Sequence, residues 1–184
     1  MRKLLIVVLA VLGFASVSHA QDFKIRFGPG ITVSPGFGFG LEADIRAKDL
    51  AAFDRDISLG LYGNAGLSFP GGGVDFQFAL GPTVVFEFAR DLGEVYAGLA
   101  FGLAGGVSYN SAVFFFGFVT GVEYQVSRVV NLFANLNLIV VPGFQGFLDL
   151  GSEFNFSSSI GAFAKLAVGF SGTFGFGGGL VFNL

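Results

Sequence analysis

Residues 36–47 read GFGFGLEADIRA, and their alternation decides what kind of element the chain is built from. In an extended chain Phe37, Phe39, Leu41, Ala43, Ile45 and Ala47 share one face, while Gly36, Gly38, Gly40, Glu42, Asp44 and Arg46 share the other. Successive side chains of a strand point to opposite sides, whereas a helix would scatter the three charges around its circumference. The stretch therefore reads as a strand.

The same period continues in both directions. In 57–69 the apolar set is Ile57, Leu59, Leu61, Ala65, Leu67 and Phe69; in 74–88 it is Val74, Phe76, Phe78, Leu80, Val84, Phe86 and Phe88. Further alternating runs cover 95–109, 112–125, 130–141, 147–156, 160–171 and 173–184, with a weaker one at 22–33, giving ten strands. Turn signals separate them at Ser34-Pro35, Pro70 to Gly73, Asn110-Ser111, Pro142-Gly143, Ser157 to Ser159 and Ser171-Gly172. Pro29 and Pro82 fall inside strands, where each removes a ladder hydrogen bond; both follow glycine, which leaves room for a bulge at each.

A hydropathy window would instead read 95–122 and 129–148 as membrane helices. Composition opposes that, because 30 glycines would each cost a helix interior about 1 kcal/mol. Twenty-six phenylalanines suit a pleated surface.

Arg2 and Lys3 precede an uncharged run from Leu4 to Val17 and the small-x-small site Ser18-His19-Ala20, the pattern of a secretory signal peptide cleaved before Gln21. The chain thus divides into a signal, 1–20, and one domain, 21–184. Loss of Arg2 and Lys3 leaves eight of the ten Lys and Arg against thirteen Asp and Glu, a net charge of −5. No basic patch for nucleic acid is present. His19 is the only histidine and departs with the signal; cysteine is absent, and no cofactor or metal motif is visible.

Alternation alone fits a soluble sandwich as well as a membrane barrel, with the apolar face turned in or out. The other face distinguishes them. A solvated face is rich in Lys, Glu, Ser and Thr, but here it is mainly glycine, alanine and scattered charge. Strands of this length exceed the 9 to 11 residues needed to span a bilayer, and in lipid they must close, since hydrocarbon offers backbone groups no partner. The expected fold is all-β: a closed antiparallel up-and-down transmembrane β-barrel of about ten strands, with eight possible.

In this pattern, 21–184 resembles the small bacterial outer-membrane β-barrel proteins. The final strand, with Phe174, Phe176, Leu180, Phe182 and Leu184 alternating, is similar to the signal read by the barrel-assembly machinery, with Phe182 and Leu184 as its core, although that family usually ends in an aromatic residue. The resemblance implies outer-membrane lipid and the assembly machinery as partners, a periplasmic N-terminus, and periplasmic connections near 48–56, 89–94, 126–129 and 157–159. The opposite connections are short and almost uncharged. Tyr109 and Tyr124 lie near strand ends on the apolar face, as interface-belt aromatics do.

The face expected to line the lumen carries Lys24, Arg26, Arg46 and Lys165 against Glu42, Asp44, Asp75, Glu87, Glu123, Asp149 and Glu153. Paired, these charges make a rigid buried network. Unpaired, the surplus carboxylates and the inward glycines suggest a narrow passage that weakly favours cations. Tyr62, Tyr96, Phe115, Phe133 and Phe163 share this face and would obstruct it. Carboxylate pairs such as Glu42/Asp44 and Asp149/Glu153 carry no further sign of catalysis. The expected role is non-enzymatic, structural or a narrow passage; the alternative is a secreted Gly/Phe-rich matrix protein that forms cross-β.

Overall fold

The computed structural model describes residues 22–33, 37–70, 73–89, 92–109 and 111–184; the expected signal peptide lies outside them. Ten strands follow one another: β1 (Phe23–Thr32), β2 (Gly38–Asp54), β3 (Ile57–Ser68), β4 (Asp75–Phe88), β5 (Gly93–Gly106), β6 (Val113–Gln125), β7 (Val130–Val141), β8 (Gln145–Asn155), β9 (Ile160–Gly169) and β10 (Phe174–Asn183). Each pairs antiparallel with its chain neighbour, and β1 pairs with β10, closing the barrel. We call the end carrying Asp22 and Leu184 the base and the other end the rim.

Period-two alternation becomes an inside and an outside. Half-exposed apolar side chains cover the exterior of every strand: Phe27, Phe39, Leu67, Phe86, Phe101, Phe118, Leu132, Leu150, Ile160 and Phe176 are one from each. The interior holds Arg26, Asp44, Arg46, Glu123, Asn135, Glu153 and Lys165, all buried. This arrangement is inverted relative to a soluble sandwich, whose apolar faces meet inside.

Two base turns share one device. In 126–129 the Ser127 hydroxyl accepts from the amides of Val129 and Val130; in 156–159 the Ser157 hydroxyl accepts from those of Ser159 and Ile160. A serine that bonds its own turn closes the hairpin without glycine.

Two expectations are corrected here. Pro29 and Pro82 are not bulges, since Phe27 faces Leu180 and Gly30 faces Gly177 with no slip, and Leu80 faces Phe101 and Thr83 faces Gly98 likewise. The ladder skips the proline and the facing backbone moves in. A Cβ on Gly98 would stand 2.1 Å from the Pro82 carbonyl oxygen, and one on Gly179 2.1 Å from that of Phe27. Glycine beside each gap, Gly98 facing Thr83 and Gly179 next to the Phe27–Leu180 pair, lets the backbones approach and keeps the register. Secondly, 48–56 is not simply a connection: β2 continues to Asp54, with irregularities at Ala47/Ala51 and Ala52/Asp54, and Asp49 adopts φ 60°.

Candidate functional site

The lumen holds two charged tiers with an aromatic layer between them. At the base, Lys24 Nζ lies 2.5 Å from Glu123 and 3.2 Å from Glu153. Arg26 Nε donates to Glu153 at 2.6 Å, and its Nη2 donates to Glu123. Arg46 pairs with Glu94 and Glu123. Lys48 reaches Glu87 at 2.7 Å, Asp22 at 3.2 Å and Glu94 at 3.7 Å. Four cations thus meet five carboxylates from six strands and the chain segment before β1.

Nearer the rim, Lys165 Nζ sits 2.7 Å from Glu42, 3.1 Å from Asp149 and 3.9 Å from Asp44, which also accepts from the Asn64 amide at 2.6 Å. One ammonium serves three carboxylates, so the surplus acid noted in the sequence gathers in this tier.

Between the tiers the lumen is filled. Tyr62, Tyr96, Val85 and Val119 form one cluster and Phe133, Phe163 and Val181 another, all at most 5% exposed. Tyr62 and Tyr96 stack at 6.2 Å, and the Tyr96 hydroxyl donates to Asn135 at 2.6 Å. The base tier grips the layer: the Arg46 guanidinium lies 3.9 Å from the Tyr96 ring centre and that of Arg26 4.1 Å from Phe133. Such stacking adds about 0.5–2 kcal/mol each when desolvated.

Three of the inward glycines seat aromatic rings. A Cβ on Gly121 would meet the Tyr96 hydroxyl at 2.5 Å, one on Gly151 the Phe133 ring at 2.4 Å, and one on Gly102 the Phe115 ring at 2.1 Å. Three cavities are present among the described residues, one at each end and a third of about 180 Å³ beside Ala79, Ala100, Phe115, Asp149 and Lys165. A base vestibule of about 300 Å³ is bordered by Lys24, Arg46, Lys48, Glu87, Glu94 and Asn131, and a rim vestibule of about 380 Å³ by Glu42, Asn64, Asp75, Gln77 and Tyr109.

The structure therefore brings Lys24, Arg26, Arg46, Glu87, Glu123 and Glu153 into one network and Glu42, Asp44, Asp149 and Lys165 into another. Asp75 joins neither; it caps the rim by accepting from the Ser108 amide at 2.9 Å. Lys48 and Glu94, absent from the sequence-derived set, belong to the base network. Glu94 is two residues before the inward Tyr96, a parity that could have revealed it; Lys48 is two beyond Arg46. Tyr124 is on the exterior, stacked on Phe88 at 6.4 Å. Tyr109 lies in the turn after β5, at the rim opening rather than on the strand wall. Phe182 is paired with Ile25 and Ile160, and Leu184 continues the ladder by exchanging backbone hydrogen bonds with Phe23.

Fold and lumen together define a closed ten-stranded antiparallel barrel with its apolar face outside and its charges inside. The chain is similar to the outer membrane phospholipase (OMPLA) dimer with bound calcium of Salmonella typhi at 9% identity, over 89% of this chain and 90% of that one, with a TM-score of 0.50. It is also similar to the translocator domain of the autotransporter NalP from Neisseria meningitidis (11% identity, 96% and 93% covered, TM-score 0.46) and to Neisserial surface protein A (14%, 90% and 98%, 0.41). At such identities the likeness is one of fold. No family model and no curated protein matches the chain.

Proposed function

We propose that this chain spans the bacterial outer membrane as a non-catalytic barrel whose lumen is closed, with a structural role. The observation that carries this is the packed layer of Tyr62, Tyr96, Phe133, Phe163 and Val181 between two ion-paired tiers. Membrane residence is supported by the exterior, where apolar side chains on all ten strands face outward and the backbone has no open edge. Closure also removes the free edges that a cross-β matrix protein needs. After export the chain has no histidine to act as a general base, and the carboxylates of both tiers are held by Lys or Arg.

A narrow cation passage is the second reading, favoured by the excess of carboxylate around Lys165. It requires Tyr62 and Tyr96 to move aside, against the Arg46 guanidinium on the Tyr96 ring and the Tyr96 hydrogen bond to Asn135. Liposomes carrying the refolded barrel, checked by heat-modifiable gel mobility, are expected to release trapped K⁺ no faster than empty liposomes. Rapid release from correctly folded samples would favour the passage instead.

A further inference from the structure

The two ends of the barrel differ in a way that neither the lumen nor the spanning role uses. The base carries Asp22, Lys48, Asp49, Asp54, Arg55, Asp56 and Arg128, as a water-facing end does. Exposed apolar side chains stand at the hairpins of both ends, Phe53, Leu92, Val126 and Phe156 at the base and, at the rim, Phe37 for β1–β2, Phe69 and Val74 for β3–β4, Phe114 for β5–β6, Phe144 for β7–β8 and Phe170 for β9–β10; what separates the ends is charge. Phe37 and Phe114 are 81% and 79% exposed. The rim connections contain no charged residue, and Asp75 beside them is turned to the Ser108 amide.

These side chains continue the outward parity of their strands. Phe37 precedes Phe39, Phe69 follows Leu67, Val74 precedes Phe76, and Phe170 follows Val168, so each extends the exterior wall instead of roofing the mouth. Contacts tie them to that wall: Phe69 stacks on Phe39 at 5.9 Å, and Phe170 covers Gly146 beside Phe144. A protein cap would rest on residues pointing over the opening. What covers outward-pointing residues is whatever surrounds the wall, and the wall is continuous with the lipid belt.

Length agrees. From the Phe88–Tyr124 pair near the base to Val74 at the rim, β4 rises fourteen residue steps, roughly 36 Å at about 3.4 Å per residue and a tilt of about 40°. The usual apolar band is about 25 Å tall. The extra length of roughly 10 Å matches the headgroup layer, since a bilayer with its interfaces is about 40–45 Å thick.

We infer that the rim is an interaction surface for lipid: the rim hairpins sit in the headgroup layer of the outer leaflet, and the lumen mouth opens there rather than into bulk water. This rests on the membrane-spanning reading above. It makes the barrel nearly flush with the membrane surface at this end.

The chain contains no tryptophan, so single substitutions give unmixed fluorescence. Phe144→Trp and Phe114→Trp report on the rim, and Phe86→Trp on the outer wall two residues from the Phe88–Tyr124 pair. Each full-length variant is refolded into phosphatidylcholine vesicles, with and without bromine on the acyl chains near the headgroup, and then exposed to aqueous iodide. The inference predicts blue-shifted rim emission, quenched at least twofold by shallow bromine and little by iodide. Red emission from both rim positions, quenched by iodide alone while Phe86→Trp is quenched by bromolipid, would overturn the lipid-bound rim and leave the spanning barrel intact. If Phe86→Trp also ignores bromolipid, the spanning reading itself falls.

Discussion

Arg26 is the most constrained single residue in the barrel. Its guanidinium donates to Glu153 and Glu123, covers Phe133, and is 1% exposed. Removing one member of a buried ion network costs about 3–5 kcal/mol, because the remaining charges lose their compensation. Arg26→Met, which keeps the stem volume, is therefore expected to lower folded stability by about that amount. Adding Glu153→Gln removes one of the orphaned carboxylates, so the double variant should be more stable than Arg26→Met alone. Urea unfolding in vesicles, followed by gel mobility, checks this; a double variant less stable than the single one would contradict the network. At this scale the sequence was informative about type and face but silent about partners. Alternation placed Arg26, Glu123 and Glu153 inside, yet their pairing across 97 and 127 residues depends on closure and on strand stagger. Lys48 and Glu94 were missed because both lie just outside the strands read from the sequence, where charge reads as turn.

At the scale of the strand, proline and glycine act as a matched pair. Pro82 contributes no amide, and the close approach of Gly98 preserves the register on both sides of the gap. The glycine is then the more sensitive partner. Gly98→Ala puts a methyl 2.1 Å from the Pro82 carbonyl oxygen and 2.8 Å from Thr83 Cα, so backbone must move. Overpacking of this kind costs about 1–3 kcal/mol. Pro82→Ala restores a donor and relaxes φ, and is expected to change stability by well under half as much. The same urea series compares them, and equal losses would contradict the pairing. Strand positions were legible because one parity holds for fifteen residues in 74–88, and turns were legible from Gly, Pro, Ser and Asn. The proline sites were not, since a bulge and a register-preserving gap share the same Gly-Pro signature and differ only in the glycine of the neighbouring strand beside the gap. The extension of β2 to Asp54 was hidden by its run of charge.

Across the whole molecule, the inversion of polarity defines the fold: apolar outside, ionic and aromatic inside, closed by β1 against β10. This much was written in the alternation and in the scarcity of charge on the second face. Whether the lumen is open was not, because an inward glycine reads equally as empty space or as a seat for a ring. Gly121 under Tyr96 and Gly151 under Phe133 are seats. The most direct measurement is single-channel conductance of the folded chain, without its first twenty residues, in a planar bilayer. Insertion is to be verified in the same preparation by heat-modifiable mobility. The closed lumen predicts silence at neutral pH across the usual voltage range. Steady cation-selective steps that shrink with Glu42→Gln and Asp149→Asn would contradict it and show an open path beside Lys165.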